Sequence, residues 1–336
     1  MTRALPPQRR GKRRKGNVSA PQEGARRGSV VASYVLRRLG AGLVTLLLMT
    51  VIIFVLVRQV GDPAHLMLPP EATEADRELF RQQLGLSDPL PVQYLHFLLG
   101  LVQGDLGRSF RYAAPALDIV VDRLGPSLIL TGAAMLFAAA VGLSLGIVSA
   151  VWRGGIVDYA ARLFAVLGQA APPFFFALLF IRFFSVELRW LPTSGYGQPA
   201  HLVLPMLALG WYSAAGLMRL TQANLIEALE SEYVKMARIK GVPEHAVLLK
   251  HALKNAALPI LTFAASQFGI LLGGAVSIET VFAWPGFGSL IVEAISQLDY
   301  TVVQAAVVVS VVLFIAINLA VDLLYAVLDP RIRYGR

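Results

Sequence analysis

The chain has 336 residues, of which 56% are apolar and 15% are charged, and its mean hydropathy is +0.62. An average soluble domain has about a quarter of its residues charged, so this composition excludes an ordinary water-soluble globule. The absence of cysteine excludes a disulfide scaffold, a thiolate metal site and a cysteine nucleophile. Most of the net charge of +9 comes from residues 1–28, which contain nine Lys or Arg and one Glu.

The basic N-terminal segment cannot bury a hydrophobic core, because its charges are interspersed with Pro, Gly and Gln. We therefore expect residues 1–33 to form a disordered tail on the cytoplasmic side. A polybasic stretch just before a membrane span favours contact with anionic lipid over a nucleic-acid partner.

Six uncharged apolar windows are long enough to cross a membrane. A spanning helix needs roughly 20 mostly apolar residues, and in lipid the backbone must satisfy its own hydrogen bonds. The sequence therefore predicts an all-α, polytopic membrane protein with six transmembrane helices. The windows are residues 39–57, 126–151, 163–181, 202–218, 255–278 and 300–321.

These windows define the organisation of the chain. The first transmembrane helix is placed at 34–60, an extracytoplasmic region at 61–125, the membrane core at 126–328 and a C-terminal tail at 329–336. A shorter apolar helix is predicted over 92–103. With six spans, the segments on the N-terminal side of the membrane contain 22 Lys or Arg and the opposite segments contain 8. This asymmetry predicts that both termini are cytoplasmic.

The common catalytic templates are missing or misplaced. The sequence has no phosphate-binding G-x-x-x-x-G-K-[ST] loop and no H-E-x-x-H, so we expect no catalytic residue, metal or cofactor on this chain. Gly142, Ser144 and Gly146 match the G-x-S-x-G pattern of hydrolases, but they lie inside an apolar span. The same glycines form G-x-x-x-G, which favours close helix packing, and Gly269 and Gly273 repeat it.

The loop between the fourth and fifth windows, at 226–256, contains the most informative pattern. A short amphipathic helix is predicted from Glu232, and Gly241 followed by Pro243 ends it. A second helical stretch over 244–258 leads into the fifth span. Two helices that meet at a glycine turn form a protrusion able to transmit a displacement; the alternative is an amphipathic hairpin lying on the membrane surface.

At this loop the chain resembles a known family. Its blocks resemble the signature loop of permeases of ABC importers, in particular the first permease subunit of the dipeptide/oligopeptide/nickel group. Matching blocks in the same order extend over roughly 34–333. They include Glu232-Tyr233, Ala237-Arg238, Lys240-Gly241, His251-Ala252-Leu253, Gly61-Asp62-Pro63-Ala64, Gly104-Asp105-Leu106-Gly107-Arg108-Ser109, Trp284-Pro285-Gly286-Phe287-Gly288 and Asp329-Pro330-Arg331-Ile332-Arg333.

Two features depart from the family pattern. Leu298 stands where the family usually has an arginine before the last span, and the basic N-terminal extension is longer.

The resemblance implies the type I ABC-importer transmembrane architecture, called MetI-like, in a bacterial plasma (inner) membrane. It implies a subunit that is not an enzyme and that forms half of a pore for peptides or peptide-like solutes. The implied partners are a second homologous permease, two ATP-binding subunits that use ATP and Mg²⁺, and an extracytoplasmic substrate-binding protein.

The resemblance also implies roles in the 226–256 loop, where the first helix would couple to an ATPase. Tyr233, Val234 and Ala237 would fill a groove of the ATPase, and Gly241 would set the turn. The rim of the groove would be contacted by Glu232, Arg238 and Lys240.

Polar residues and prolines within spans are costly and often line a cavity, although they also serve helix packing. The pore or gate candidates are Gln169, Pro172, Gln267, Gln304 and Asn318. The outer loop around Trp284, Pro285, Gly286 and Gly288 would cover the pore or bind the substrate-binding protein. An interfacial aromatic anchor is its alternative.

Two other functions remain as alternatives. A secondary transporter or channel driven by an ion gradient would show inverted repeats and an ionisable mid-membrane group, and the windows show neither. An intramembrane hydrolase would depend on Ser144 alone, without a partner base. The cargo could be a dipeptide, an oligopeptide, a glutathione-like molecule or a nickel chelate, and the sequence does not distinguish these.

Overall fold

The computed structural model describes residues 20–60, 71, 73–83, 87–109 and 111–328. In these ranges the regular structure is helical, and one isolated bridge joins Arg108 to Pro115. The chain divides into two compact units, Met1–Val44 and Thr45–Arg336. All contacts described below lie within the second unit.

Eleven helices are labelled in chain order, each within the described ranges. The helices α6 and α9 each contain a π-helical stretch, at Ile181–Glu187 and Val247–Ala252. The bounds are α1 Ala20–Val60, α2 Glu74–Gln83, α3 Leu90–Gln103, α4 Ala116–Val151, α5 Ile156–Ala170, α6 Pro173–Glu187, α7 Pro199–Glu230, α8 Glu232–Ile239, α9 Glu244–Val281, α10 Phe287–Ser296 and α11 Tyr300–Leu328.

Among the described residues, five helices are long and apolar enough to cross a membrane, namely α1, α4, α7, α9 and α11. The pair α5 and α6 makes a sixth span if it is counted as one, and its two axes differ in direction by 106°. The predicted all-α polytopic class is therefore confirmed. The third span is interrupted, as its Pro172-Pro173 pair indicates, and Ala171 and Pro172 are extended, with ψ of 158° and 151°. Two consecutive prolines remove backbone donors at this point.

The structure describes some of the predicted segment boundaries and leaves others undescribed. The first helix begins at Ala20, earlier than the predicted residue 34. Residues 1–19, 61–70 and 329–336 lie outside the described residues, so the tails and the blocks placed there stay predictions. The short helix predicted at 92–103 is confirmed as α3. It packs on α1 through Arg58, which donates to Gln93 Oε1 at 2.8 and 2.6 Å and lies 3.5 Å above the Phe54 ring.

Helices α4 and α7 pack most closely where α4 carries small residues. A Cβ on Gly142 would lie 2.7 Å from the Ala214 carbonyl oxygen, and one on Gly146 would lie 2.6 Å from Thr221 Cβ. The packing interpretation of this G-x-x-x-G is confirmed. In a membrane such contacts replace the hydrophobic effect as the attraction between helices.

The second glycine pair behaves differently. A Cβ on Gly269 would meet only an Ile317 side-chain atom at 3.7 Å, and one on Gly273 would meet nothing within 4 Å. The described part of this chain therefore makes an ordinary contact at Gly269 and none at Gly273, and close packing of this pair stays a prediction.

Candidate functional site

The loop that follows α7 folds as the sequence predicts. Ser231 alone separates α7 from α8, and α8 ends before Gly241, whose φ is +76°. Gly241 N donates to Arg238 O at 2.9 Å, and Val242 N donates to Ala237 O at 3.1 Å. A positive φ of this size favours glycine, which has no Cβ to clash. The turn therefore fixes the direction in which α9 leaves α8.

The two faces of α8 have different partners. Val234 is 0% exposed and Ala237 is 7% exposed, and both belong to a core that includes residues of α7 and α9. Tyr233, Met236 and Ile239 are 43%, 53% and 78% exposed. We define these three residues as the apolar docking face of α8.

The prediction that Val234 and Ala237 fill a partner's groove is therefore wrong, because this chain already buries them. Tyr233 stays available to a partner. Sequence reasoning missed Met236 and Ile239. Both faces of α8 carry apolar residues at helical spacing, so the sequence does not show which face points inward.

Charged residues of the loop are paired with each other. Glu232 lies 2.7 Å from Lys235 Nζ, and Arg238 donates to both carboxylate oxygens of Glu244 at 3.1 and 2.5 Å. The hydrogen bond that Arg238 donates to the Glu244 carboxylate raises the pKa of Arg238 above its ordinary value. Arg238 thus braces the turn between α8 and α9, while Lys240 is exposed. Because the Arg238–Glu244 pair is solvent-exposed, it contributes only about 0.2–1 kcal/mol.

A buried carboxylate lies beneath this loop, where α4, α5 and α7 meet. Asp158 is 1% exposed and accepts hydrogen bonds from Ser149 Oγ at 2.5 Å and Gly154 N at 2.9 Å. It also accepts from Arg162 at 2.8 and 2.9 Å and from Gln222 Nε2 at 2.7 Å. Gln222 Nε2 donates to Ser149 Oγ at 2.6 Å. We call Ser149, Asp158 and Gln222 the inner node. The sequence shows an acid in a first helical turn but gives no sign of a partner 64 positions away.

The outer loop between α9 and α10 is held by a second buried acid, which sequence reasoning did not assign a role. Glu279 is 0% exposed, accepts a short hydrogen bond from Ser127 Oγ and accepts from Ser289 N at 2.9 Å. Ser127 Oγ accepts from Phe287 N at 2.7 Å. The buried Gly286 and Gly288 lie against the Glu279 carboxylate, where a side chain would collide with it.

Trp284 is 3% exposed within the chain, and its Nε1 donates to Pro126 O at 3.0 Å. Its ring meets Tyr196 edge to face at 4.8 Å. Pro285 is half-buried beside it. The aromatic-anchor alternative for this loop is contradicted, because an interfacial tryptophan would face lipid. The loop is a packed element, and its role over the pore or toward a binding protein stays a prediction.

The structure separates the predicted pore candidates. Gln169 lies at the end of α5, next to the break at Pro172, and its Oε1 accepts from Arg219 at 2.7 Å. Gln267 is buried and donates to Ser213 Oγ at 3.1 Å, so it joins α9 to α7. Gln304 is half-buried. Asn318 is exposed and donates to Phe314 O of its own helix at 2.7 Å.

A set of exposed polar and small residues lies on α9, where the apolar Ile270 is also exposed, and on α7, where Arg219 of the set contacts Gln169. On α9 it contains Ser266, Gly273, Ser277 and Thr280, and on α7 it contains Tyr212 and Arg219. We call these six residues the polar face. Phe174 of α6 and Val292 of α10 border its outer part, around an open groove.

Taken together, the fold defines a multi-pass membrane subunit with a packed outer loop, a polar face along its spans and a projecting short helix. Residues 142–334 match the family described as binding-protein-dependent transport system inner membrane component. Residues 31–131 match the family described as binding-protein-dependent transport system membrane component, N-terminal. The chain belongs to this family.

Curated relatives extend over nearly the whole chain. The glutathione transport system permease proteins GsiC of Pectobacterium atrosepticum and of Escherichia coli strain K12 are both 44% identical to it over 303 residues. The aligned region covers 90% of this chain and 99% of each relative.

Two solved structures share the fold. A crystal structure of an amino acid ABC transporter with histidines gives a TM-score of 0.51 at 15% identity, covering 62% of this chain and 94% of that one. The MetNI methionine ABC transporter in inward-facing conformations gives 0.51 at 18%, covering 63% and 96%. The predicted MetI-like architecture is thereby confirmed.

The chain is therefore a permease subunit of an ATP-driven ABC importer, as the sequence predicts. It is a pore-forming component of a multi-pass inner-membrane system and not an enzyme, and ATP hydrolysis lies on partner subunits.

Proposed function

We propose that this chain forms one half of the translocation pore of an importer for peptides or peptide-like solutes. The other parts are a second homologous permease, two ATP-binding subunits that bind ATP and Mg²⁺, and an extracytoplasmic binding protein. The relatives named for glutathione transport support a small peptide-like cargo. Both termini and α8 lie on the cytoplasmic side, which the Lys and Arg distribution supports.

The observation that carries the proposal is the exposed docking face of α8. Three apolar side chains project from a helix whose opposite face is fixed in the core, next to the turn braced by Arg238 and Glu244. An apolar patch rimmed by charges is typical of a protein interface. The docking face contacts an ATP-binding subunit, with Glu232, Lys235 and Lys240 around it.

A second part of the proposal concerns the pore. A guanidinium is unfavourable against lipid, and glycine and serine are typical of contacts between helices, so the polar face favours a water-filled path or a partner helix. The polar face therefore lines the translocation path together with Gln169, opposite the second permease. Pro172 permits the adjacent break in the third span. Gln267 supports this wall from behind.

Reconstitution of the assembled transporter into proteoliposomes tests the proposal. Uptake of a small peptide such as glutathione or a dipeptide should require the binding protein and hydrolysable ATP, and ionophores that dissipate ion gradients should not reduce it. The chain reconstituted alone should move none of these solutes. Uptake by the isolated chain down an ion gradient would instead support the secondary-transporter alternative.

A further inference from the structure

The inner node joins three helices at the end of the bundle that carries α8. Asp158 belongs to the first turn of α5, Ser149 to the end of α4, and Gln222 to α7. The Ser149 hydroxyl donates to Asp158 and accepts from Gln222, while the same Gln222 nitrogen also donates to Asp158. The three side chains therefore form a closed ring of hydrogen bonds.

The carboxylate in this ring has little freedom to change partners. It is almost completely buried, and removing one partner of a buried charge leaves an uncompensated charge, which is strongly destabilising. Hydrogen bonds to a charged group are also about twice as strong as neutral ones. Any movement of α7 near Gln222 must therefore either carry Asp158 with it or break charged hydrogen bonds away from water.

A second link joins the same elements near the surface. Arg153, in the turn between α4 and α5, lies 3.0 Å from Glu230, the last residue of α7. Only Ser231 separates Glu230 from α8. Gln222 and Glu230 are eight residues apart, about 12 Å along a helix, so the α4–α5 turn is attached to α7 at two points directly before the docking face.

We propose that the inner node clamps the α4–α5 turn to α7, so that a displacement of α8 moves the inner ends of α4, α5 and α7 as one body. Gln222 is the positioning residue of this clamp. The inference rests on the proposed function, in which an ATP-binding subunit displaces α8. It extends that function from the two helices next to the loop to α4 and α5, which do not adjoin α8 along the chain.

The test uses Gln222→Met, which keeps an unbranched side chain but removes both hydrogen-bond donors. Asp158 retains Ser149, Gly154 and Arg162, so the fold keeps most of the site. The matched control is Asn224→Leu, because among the described residues the Asn224 amide donates to Leu220 O of its own helix, at 2.9 Å. If Gln222→Met does not assemble, Ser149→Ala opens the same ring with a smaller change.

Movement is measured with spin labels in the complete transporter, since this chain has no natural cysteine. The pair Trp190→Cys with Glu227→Cys reports α7, and the pair Trp190→Cys with Ile156→Cys reports the α4–α5 turn. All three positions are exposed, and helix length places Trp190 about 40 Å from Glu227. Distances are compared between the nucleotide-free state and the ATP-trapped state.

In the natural background and in Asn224→Leu, both distances should change together. In Gln222→Met, the distance between the labels at 190 and 227 should still change between the two nucleotide states. The distance between the labels at 190 and 156 should change much less than it does in the natural background. A turn that follows α7 equally well in Gln222→Met and Ser149→Ala would overturn the clamp. If neither distance responds to nucleotide in the natural background, the proposed role of α8 fails, and the clamp fails with it.

Discussion

The hydroxyl of Ser127 on α4 donates a hydrogen bond to the buried carboxylate of Glu279 on α9, 152 positions further along the chain. Ser127 also accepts from Phe287 N, so one hydroxyl connects α4, α9 and the start of α10. The carboxylate takes its remaining hydrogen bond from Ser289 N. The outer loop is thereby held by charged hydrogen bonds that water does not reach.

Gly286→Ala should destabilise the protein, because the new methyl group would overlap the Glu279 carboxylate and push it from its donors. Overpacking of this kind costs about 1–3 kcal/mol. Gly132→Ala is the control, since a Cβ on Gly132 meets nothing within 4 Å and alanine is the better helix former. Thermal unfolding in detergent should show a lower midpoint for Gly286→Ala only, and equal midpoints would contradict the packed loop.

Trp211→Ala should separate α5 from α6 at the break. The indole stacks on Phe164 of α5 at 5.5 Å and meets Phe176 and Phe180 of α6 at 4.6 and 5.8 Å. The loss should reach about 3 kcal/mol. Trp211→Phe should lose only about 1 kcal/mol, from the hydrogen bond of Nε1 to Phe164 O.

Trp190→Ala, at an exposed position, is the control for these two variants. The free energy of unfolding is measured for all three variants, and it should fall most in Trp211→Ala. A loss in Trp211→Ala no larger than that in Trp190→Ala would show that the bent pair does not depend on this ring.

Gly241→Val and Gly241→Asn should differ in the ATP hydrolysis of the assembled transporter, although a Cβ at this position meets open space. The left-handed conformation costs an ordinary residue about 1–2 kcal/mol, and asparagine tolerates it better than a β-branched residue. We expect Gly241→Val to lower ATP hydrolysis stimulated by the loaded binding protein several-fold, without loss of assembly. Gly241→Asn should stay close to the natural protein. Equal stimulation in both variants would show that the turn does not direct α8.

Cysteine substitution should distinguish the polar face from lipid-facing surface. In the assembled transporter, Ser277→Cys should react with a charged, membrane-impermeant thiol reagent, because a water-filled path reaches it. Leu136→Cys, at an apolar position that is 74% exposed on α4 in this chain, should not react, because we expect an apolar surface of a span to contact lipid. Labelling is read by mass spectrometry. Protection of Ser277→Cys equal to that of Leu136→Cys would place the polar face outside the water-filled path.

Much of the architecture follows from the sequence because it depends on local signals. Long uncharged windows predict spans, and Gly241 with Pro243 predicts the end of α8, since helix length and backbone conformation are local properties. Pro172 and Pro173 predict the break in the third span but not its 106° angle. Trp211 of α7 contacts the helices on both sides of the break, and the sequence does not show that contact.

The functional details depend on which residues meet across the bundle. Val234 and Ile239 are both apolar and on one helix, yet one is buried and the other is exposed. From the sequence alone, Gln267 is a candidate pore residue. In the structure its side chain donates a hydrogen bond to Ser213 on α7, so it forms a contact between two helices. Asp158 and Glu279 are unremarkable acids in the sequence, because their partners are distant along the chain.

Site-specific cross-linking tests the docking face most directly. Ile239→Cys and Val234→Cys lie on opposite faces of α8, and no natural cysteine of this chain competes with them. In the assembled transporter, Ile239→Cys should form a cross-link to an ATP-binding subunit through a thiol-reactive reagent, and Val234→Cys should not. A cross-link from Val234→Cys with none from Ile239→Cys would contradict the assignment of this face.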